Sequence, residues 1–168
     1  KNCNVIILSD YDKGVISKKV AYHCIKLGQE LKIPVIIDPK KNSLKYYNGA
    51  TVITPNLNEA KLLSGLNKMD GIISYLKNQM KKFNINYIVL KVGKKGIILI
   101  EKDSHTKFDA IKVKDPDVTG AGDTVISTLS LMFALKNNIN DCIKYSNIAA
   151  GKVVAKNETS YVLKNEIF

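Results

Sequence analysis

Short runs of consecutive apolar residues alternate along this chain with longer stretches in which apolar residues recur every three or four positions. Asn4-Val5-Ile6-Ile7-Leu8-Ser9 is the first run and reads as a strand buried on both faces. Ser17 can cap a helix running to about Leu31, with Val20, Ala21, Cys24, Ile25 and Leu27 or Leu31 on one face. Ile33 to Asp38 and Thr51 to Thr54 read as further strands, ended by Pro39 and Pro55. Helices are predicted over Asn58 to Ser64 and Met69 to Phe83. Tyr87 to Val92 and Gly96 to Ile100 read as strands around the turn Gly93-Lys94-Lys95. Phe108, Ile111 and Val113 alternate in a way compatible with one more strand. The remainder is helical in pattern, about Ala121 to Leu135 and then about Asp141 to Lys156 with Asn140 as cap.

Apolar strands alternating with amphipathic helices are the signature of βαβ units and a parallel sheet covered on both faces. The predicted class is therefore α/β. No internal repeat, linker or low-complexity tract interrupts the pattern. At 168 residues the chain allows one domain with a sizeable core. In such sheets ligands sit beyond the carboxyl ends of the strands. That directs attention to the loops Asp10–Gly14, Asp38–Lys41, Pro55–Glu59, Gly93–Gly96 and Asp117–Asp123, all rich in carboxylate, amide, Lys or Gly.

Charge narrows the partners. The net charge is +11, and all 26 basic residues are Lys, with no Arg. Nucleic-acid readers commonly rely on the planar Arg fork, and no basic tract here alternates with aromatics. Nucleic acid is thus not an expected partner, whereas anionic small substrates suit the field. Cys3, Cys24 and Cys142 match no metal or redox spacing and are expected to be buried, reduced thiols of a cytoplasmic protein. No apolar run is long enough to span a membrane, and no secretory leader is expected. The start Lys1-Asn2-Cys3-Asn4 lacks Met and enters a strand at once, which is expected of a piece cut from something longer.

The sharpest chemical string is Asp117-Val118-Thr119-Gly120-Ala121-Gly122-Asp123-Thr124. Gly120, Ala121 and Gly122 open a helix whose first N–H groups have no intrahelical partner, so a phosphate can approach them closely. Asp123 lies in the first turn, placed to take a proton from a hydroxyl attacking a phosphorus held there; it also reads as a simple first-turn stabiliser. Asn56 and Glu59 are three apart and could hold Mg²⁺ through water, or could form a capping box. Gly93 and Gly96 could let the backbone approach a nucleotide, or form a plain turn. Lys40 could meet a phosphate, and Asp10 and Lys13 a sugar or phosphate; each also reads as an ordinary polar loop residue. His23 and His105 have no partner pattern and read as a helix residue and a loop residue.

The eight-residue string resembles the signature of the PfkB, or ribokinase-like, carbohydrate kinases, and Asn56 to Glu59 and Gly93 to Gly96 resemble that family's Asn-x-x-Glu and Gly-x-x-Gly. Leu8–Gly14, Ile37–Lys40, Gly49–Leu57, Thr119–Ile126 and Asn147–Val154 further resemble the branch acting on D-glycero-β-D-manno-heptose 7-phosphate. The resemblance covers nearly the whole chain. It implies a ribokinase-like three-layer α/β/α sandwich with a mainly parallel sheet, present as a partial domain: the carboxyl-terminal, nucleotide-binding half. It implies transfer of the γ-phosphoryl of ATP to the sugar 1-hydroxyl, in ADP-heptose synthesis for the lipopolysaccharide core. In this reading Asp123 is the general base and Gly120, Ala121 and Gly122 form the anion hole. Asn56 and Glu59 serve Mg²⁺ and phosphates, while Gly93, Gly96, Asn147 and Gly151 line the nucleotide side. Asp117, Thr119 and Ser160 fall where some members hold a monovalent cation such as K⁺. Lys91 stands where many relatives carry Thr, and Glu158 where Gly is usual. The amino-terminal half, with most sugar contacts and a dimer-forming lid, is expected to be missing, and with it the activity of the isolated piece. Another PfkB sugar or nucleoside kinase and a silent nucleotide-binding module are the alternatives.

Overall fold

A computed structural model describes residues 3–40, 43–114, 116–156 and 160–167. Lys1, Asn2, Lys41 and Glu158, named above, lie outside the described residues. Six strands form one sheet in sequence order: β1 (Ile6–Ser9), β2 (Val35–Asp38), β3 (Val52–Ile53), β4 (Tyr87–Lys91), β5 (Ile97–Ile100) and β6 (His105–Phe108). β1 to β4 run parallel, in a register that sets Ile7 beside Ile36, Ile37 beside Ile53 and Ile53 beside Ile88. β5 and β6 then turn back antiparallel. The sheet is mainly parallel, closed on one side by a hairpin.

Neighbouring residues of each strand serve different faces. Ile37, Ile53, Ile88 and Leu90 join the layer formed by α1 (Lys18–Leu31), α2 (Leu57–Ser64), α3 (Met69–Lys82) and the 3-10 turn Leu44–Tyr47. Ile36, Val52, Val89, Ile97 and Leu99 face α4 (Ala121–Ala134) and α5 (Ile139–Val154). Burial on both faces explains the continuous apolar runs of β2, β4 and β5. This is the α/β/α sandwich that the alternation predicted.

Three local expectations change. α5 begins at Ile139, because Asn138 and not Asn140 caps it, its side chain accepting from the Asp141 backbone N–H at 2.9 Å. β6 spans His105 to Phe108, so His105 is a strand residue, and Ile111 packs against Gly151 of α5 where a strand continuing to Val113 was expected. The cysteines are all free, but only Cys142 is buried; Cys24 is half-buried and Cys3 exposed.

Burial, with a smaller contribution from Asp141, pushes the Cys142 thiol up to about 11. At pH 8 that group is almost wholly protonated, and the thiolate is the reactive form. An aromatic disulfide reagent at pH 8 should modify Cys3 rapidly and Cys142 only on unfolding; equal rates in the folded chain would contradict this placement. Ser130 is 1% exposed, and its hydroxyl has no hydrogen-bond partner among the described residues. Ser130→Ala should therefore stabilise the chain by about 1 kcal/mol, or roughly 2–4 °C in melting temperature; a lower melting temperature would show that the hydroxyl is satisfied.

Candidate active site

The parallel strands deliver their last residues to one edge. Asp10 follows β1, Asp38 ends β2, Thr54 follows β3 and Lys91 ends β4. The Asp10 backbone N–H donates to the Asp38 carbonyl at 3.1 Å, tying the first two ends together. Asp38 Oδ1 accepts from Thr54 Oγ1 at 2.8 Å and from Lys91 Nζ at 2.6 Å. The Asp38 and Lys91 side chains are only 15% and 14% exposed. A charge at this depth needs a partner, and here each supplies the other's.

Asp10 is 2% exposed. Its Oδ1 accepts from the Asp12 N–H and its Oδ2 from the Tyr47 hydroxyl, both at 2.8 Å. Both oxygens are thus engaged in holding the loop that carries Tyr11 and the exposed Lys13. On the next loops, Asn56 caps α2 with the full capping box: its side chain accepts from the Glu59 N–H at 2.9 Å, and Glu59 Oε2 accepts from the Asn56 N–H at 2.7 Å. Glu59 Oε1 forms an ion pair with Lys40. That hydrogen bond, backed by the charges of Glu59 and Asp38, outweighs burial and raises the Lys40 pKa above the usual lysine value.

No group of three or more His, Cys, Asp or Glu side chains gathers to hold a metal among the described residues. At the start of α2 the chain offers the Glu59 carboxylate, beside Asn56 and Lys40. That donor set fits Mg²⁺, which keeps several waters and takes phosphate oxygens as ligands.

α4 begins at the same edge. Gly120 adopts the left-handed conformation with φ 74°, and the space where a Cβ would stand is open. No side chain caps this helix start. A Cβ at Gly122 would lie 3.6 Å from Lys91 Nζ, so the β4 ammonium stands over the first turn of α4. Asp123 is exposed, and the Tyr11 hydroxyl donates to its Oδ1 at 3.5 Å. The structure therefore gathers the small-residue helix start, Asp123, Lys91 and the first loop.

Asp117 Oδ1 accepts from the Thr119 N–H at 2.9 Å, and its own N–H donates to the Val154 carbonyl at 3.0 Å, which docks this loop on the end of α5. Ser160 is half-buried in the segment after that helix. Gly96, Asn147 and Gly151 converge on the stretch after β6. A Cβ on Gly96, whose φ is 90°, would meet the Phe108 carbonyl at 2.0 Å. Asn147 Nδ2 donates to the Asp109 carbonyl at 2.6 Å, and a Cβ on Gly151 would meet Ile111 at 2.7 Å. These three fix one wall, whereas Gly93 is exposed and open.

Tyr47, Thr54, Asp38 and Tyr11 belong to this edge but were not singled out from the sequence. Tyr47 ends the Ser43-capped turn and is core; only its hydroxyl reaches the edge, at Asp10. The signal that could have found Asp38 is its place at the end of an apolar strand.

Residues 3–166 match the pfkB family of carbohydrate kinases, and the chain belongs to that family. It is 44% identical over 161 residues to the bifunctional protein HldE of Campylobacter curvus, which covers 93% of the chain and 34% of the relative. It is 34% identical over 171 residues to HldE of Actinobacillus succinogenes, covering 99% of the chain and 35% of the relative. The chain thus spans about a third of the length of the curated relatives it matches. The fold is similar to that of Arabidopsis thaliana ribokinase complexed with ribose and ATP, with a TM-score of 0.80 at 19% identity, over 94% of this chain and 51% of that one. It is also similar to phosphofructokinase-2 of Escherichia coli in complex with potassium, with a TM-score of 0.82 at 16% identity, over 97% and 54%. The fold is therefore ribokinase-like, and the chain matches about half of each of these two solved chains.

Tyr47→Phe deletes a donor to a buried carboxylate and should destabilise the chain by about 1–3 kcal/mol. Chemical denaturation checks this; an unchanged midpoint would mean that Asp10 does not depend on the Tyr47 hydroxyl.

Proposed function

We propose that this chain is the nucleotide-binding half of an ATP-dependent kinase that phosphorylates D-glycero-β-D-manno-heptose 7-phosphate at its 1-hydroxyl, giving the 1,7-bisphosphate for ADP-heptose and the lipopolysaccharide core. The observation that carries the reading is the Gly120-Ala121-Gly122-Asp123 helix start lying at the carboxyl edge of the sheet. Family membership and the heptose-like strings around Asp10–Gly14 and Asp38–Lys40 support the substrate.

In this reading the N–H groups opening α4 hold the transferring phosphoryl group, where a helix start favours negative charge. Asp123, exposed to the site, takes the proton of the sugar hydroxyl as it attacks. Tyr11 donates to the same carboxylate and orients it. Asn56 and Glu59 hold the phosphate side, Glu59 through water on Mg²⁺, which neutralises charge on the phosphates when bound. Gly93 admits the nucleotide, and Gly96, Asn147 and Gly151 hold the wall against which it lies. Lys13 and Lys40 meet the sugar phosphate, with Asp10 keeping the Lys13 loop in place and Glu59 holding Lys40. Asp117, Thr119 and Ser160 take a monovalent cation, K⁺ for preference.

The sugar contacts and closure over the substrate come from an amino-terminal half, and the complete enzyme is a homodimer. The three free cysteines suit a reducing compartment, the cytoplasm. No described helix is long and apolar enough to cross a membrane.

Calorimetry with MgATP on this chain, alongside turnover of heptose 7-phosphate by the completed domain, tests the reading. Binding by the chain and turnover only by the completed domain are expected; binding with no turnover by either would favour a silent nucleotide-binding module. Turnover of ribose or a fructose phosphate in preference to the heptose would move the substrate within the family. In the completed domain, Asp123→Asn should lower kcat by about 10³-fold or more while ATP affinity stays nearly unchanged. Near-normal turnover in that variant would remove Asp123 as the base.

A further inference from the structure

We propose that Lys91 is the phosphate-binding cation of this site, presented at the start of α4 by its ion pair with Asp38. The inference rests on the reading of the site as nucleotide-binding and adds a residue role to it. Lys91 ends β4, and its Nζ lies within van der Waals range of the place a Gly122 side chain would take. The ammonium is therefore already beside the helix start assigned to the phosphoryl group. An ammonium has three N–H donors. Asp38 Oδ1 takes one at 2.6 Å, so a phosphate oxygen can accept another without breaking the pair.

The other cations of this edge are less suited. The sequence has no Arg, so the role falls to a lysine. Lys13, Lys40, Lys94 and Lys95 are exposed. Lys91 alone among these combines a nearly buried side chain with a position over α4. A buried ion pair kept only for stability gains little over apolar packing. A pair that fixes a charge where a phosphate arrives has a function that apolar packing cannot replace. Thr54 supports the arrangement by donating to the same Asp38 oxygen at 2.8 Å.

The test measures binding of MgATP, adenosine and inorganic pyrophosphate to the 168-residue chain. Lys91→Met should weaken ATP and pyrophosphate about tenfold or more, the loss of a charge-assisted bond, and leave adenosine unchanged. Asp38→Asn keeps the ammonium and leaves an amide oxygen that can accept the same bond from it, so it should retain most of the pyrophosphate affinity. The double variant Asp38→Asn/Lys91→Met leaves no charge unpaired and should bind pyrophosphate as weakly as Lys91→Met; it replaces that variant if Lys91→Met fails to fold. Unchanged ATP affinity in Lys91→Met overturns the proposal and leaves the nucleotide reading standing. Equal losses in Asp38→Asn and Lys91→Met also overturn it, since the effect would then be that of the pair on local structure. Pyrophosphate binding that needs Lys91, without binding of adenosine or ATP, keeps the proposal and removes the nucleotide reading. A chain that binds none of the three overturns both.

Discussion

A sheet covered by helices on both faces has nowhere to put polar chemistry except at the strand ends, and this constraint organises the molecule. Ile36 and Ile37 are both fully buried although they face opposite layers. A charged group at either position would have to leave water without a partner. The first polar residue after each apolar run therefore arrives at the edge, and parallel β1 to β4 send their ends to the same edge. Asp10, Asp38, Thr54 and Lys91 meet for that reason. Their mutual hydrogen bonds are the condition under which such groups can lie so close to the core.

The same constraint explains what the sequence disclosed. Apolar runs and helical periodicity made the strand and helix order readable, since each element announces its burial in its own residues. The edge was readable through its loops: Gly120 and Gly122 have small side chains where the helix opens, and Asn56 and Glu59 sit at capping distance. The choice between capping box and phosphate site at Asn56 was not readable. The box has formed, yet a capped helix start facing the edge can still present Glu59 and Lys40 to a ligand.

What stayed hidden depended on long-range contacts. Nothing local marks Tyr47 as the partner of Asp10, since 36 intervening residues separate them and the ring belongs to the core. Asn138 and Asn140 look equally able to cap α5, and only the face presented by Ile139, Cys142 and Ile143 decides between them. The family resemblance implies only that Gly96, Asn147 and Gly151 line the nucleotide side. Their geometry ties all three to the backbone or side chains of residues 108–111, so they act as a unit through one wall.

The paired lysines also give the edge an electrostatic character distinct from the chain's net charge of +11. Lys40 is matched by Glu59 and Lys91 by Asp38, so the site is built of internal salts where an open positive hollow might be imagined. In the proposed reading, a polyanion drawn in by the surface charge meets ammonium groups already held by carboxylates and binds through the N–H donors they have left. Under that reading the edge selects by where its paired ammonium groups are held, and net positive charge alone confers little.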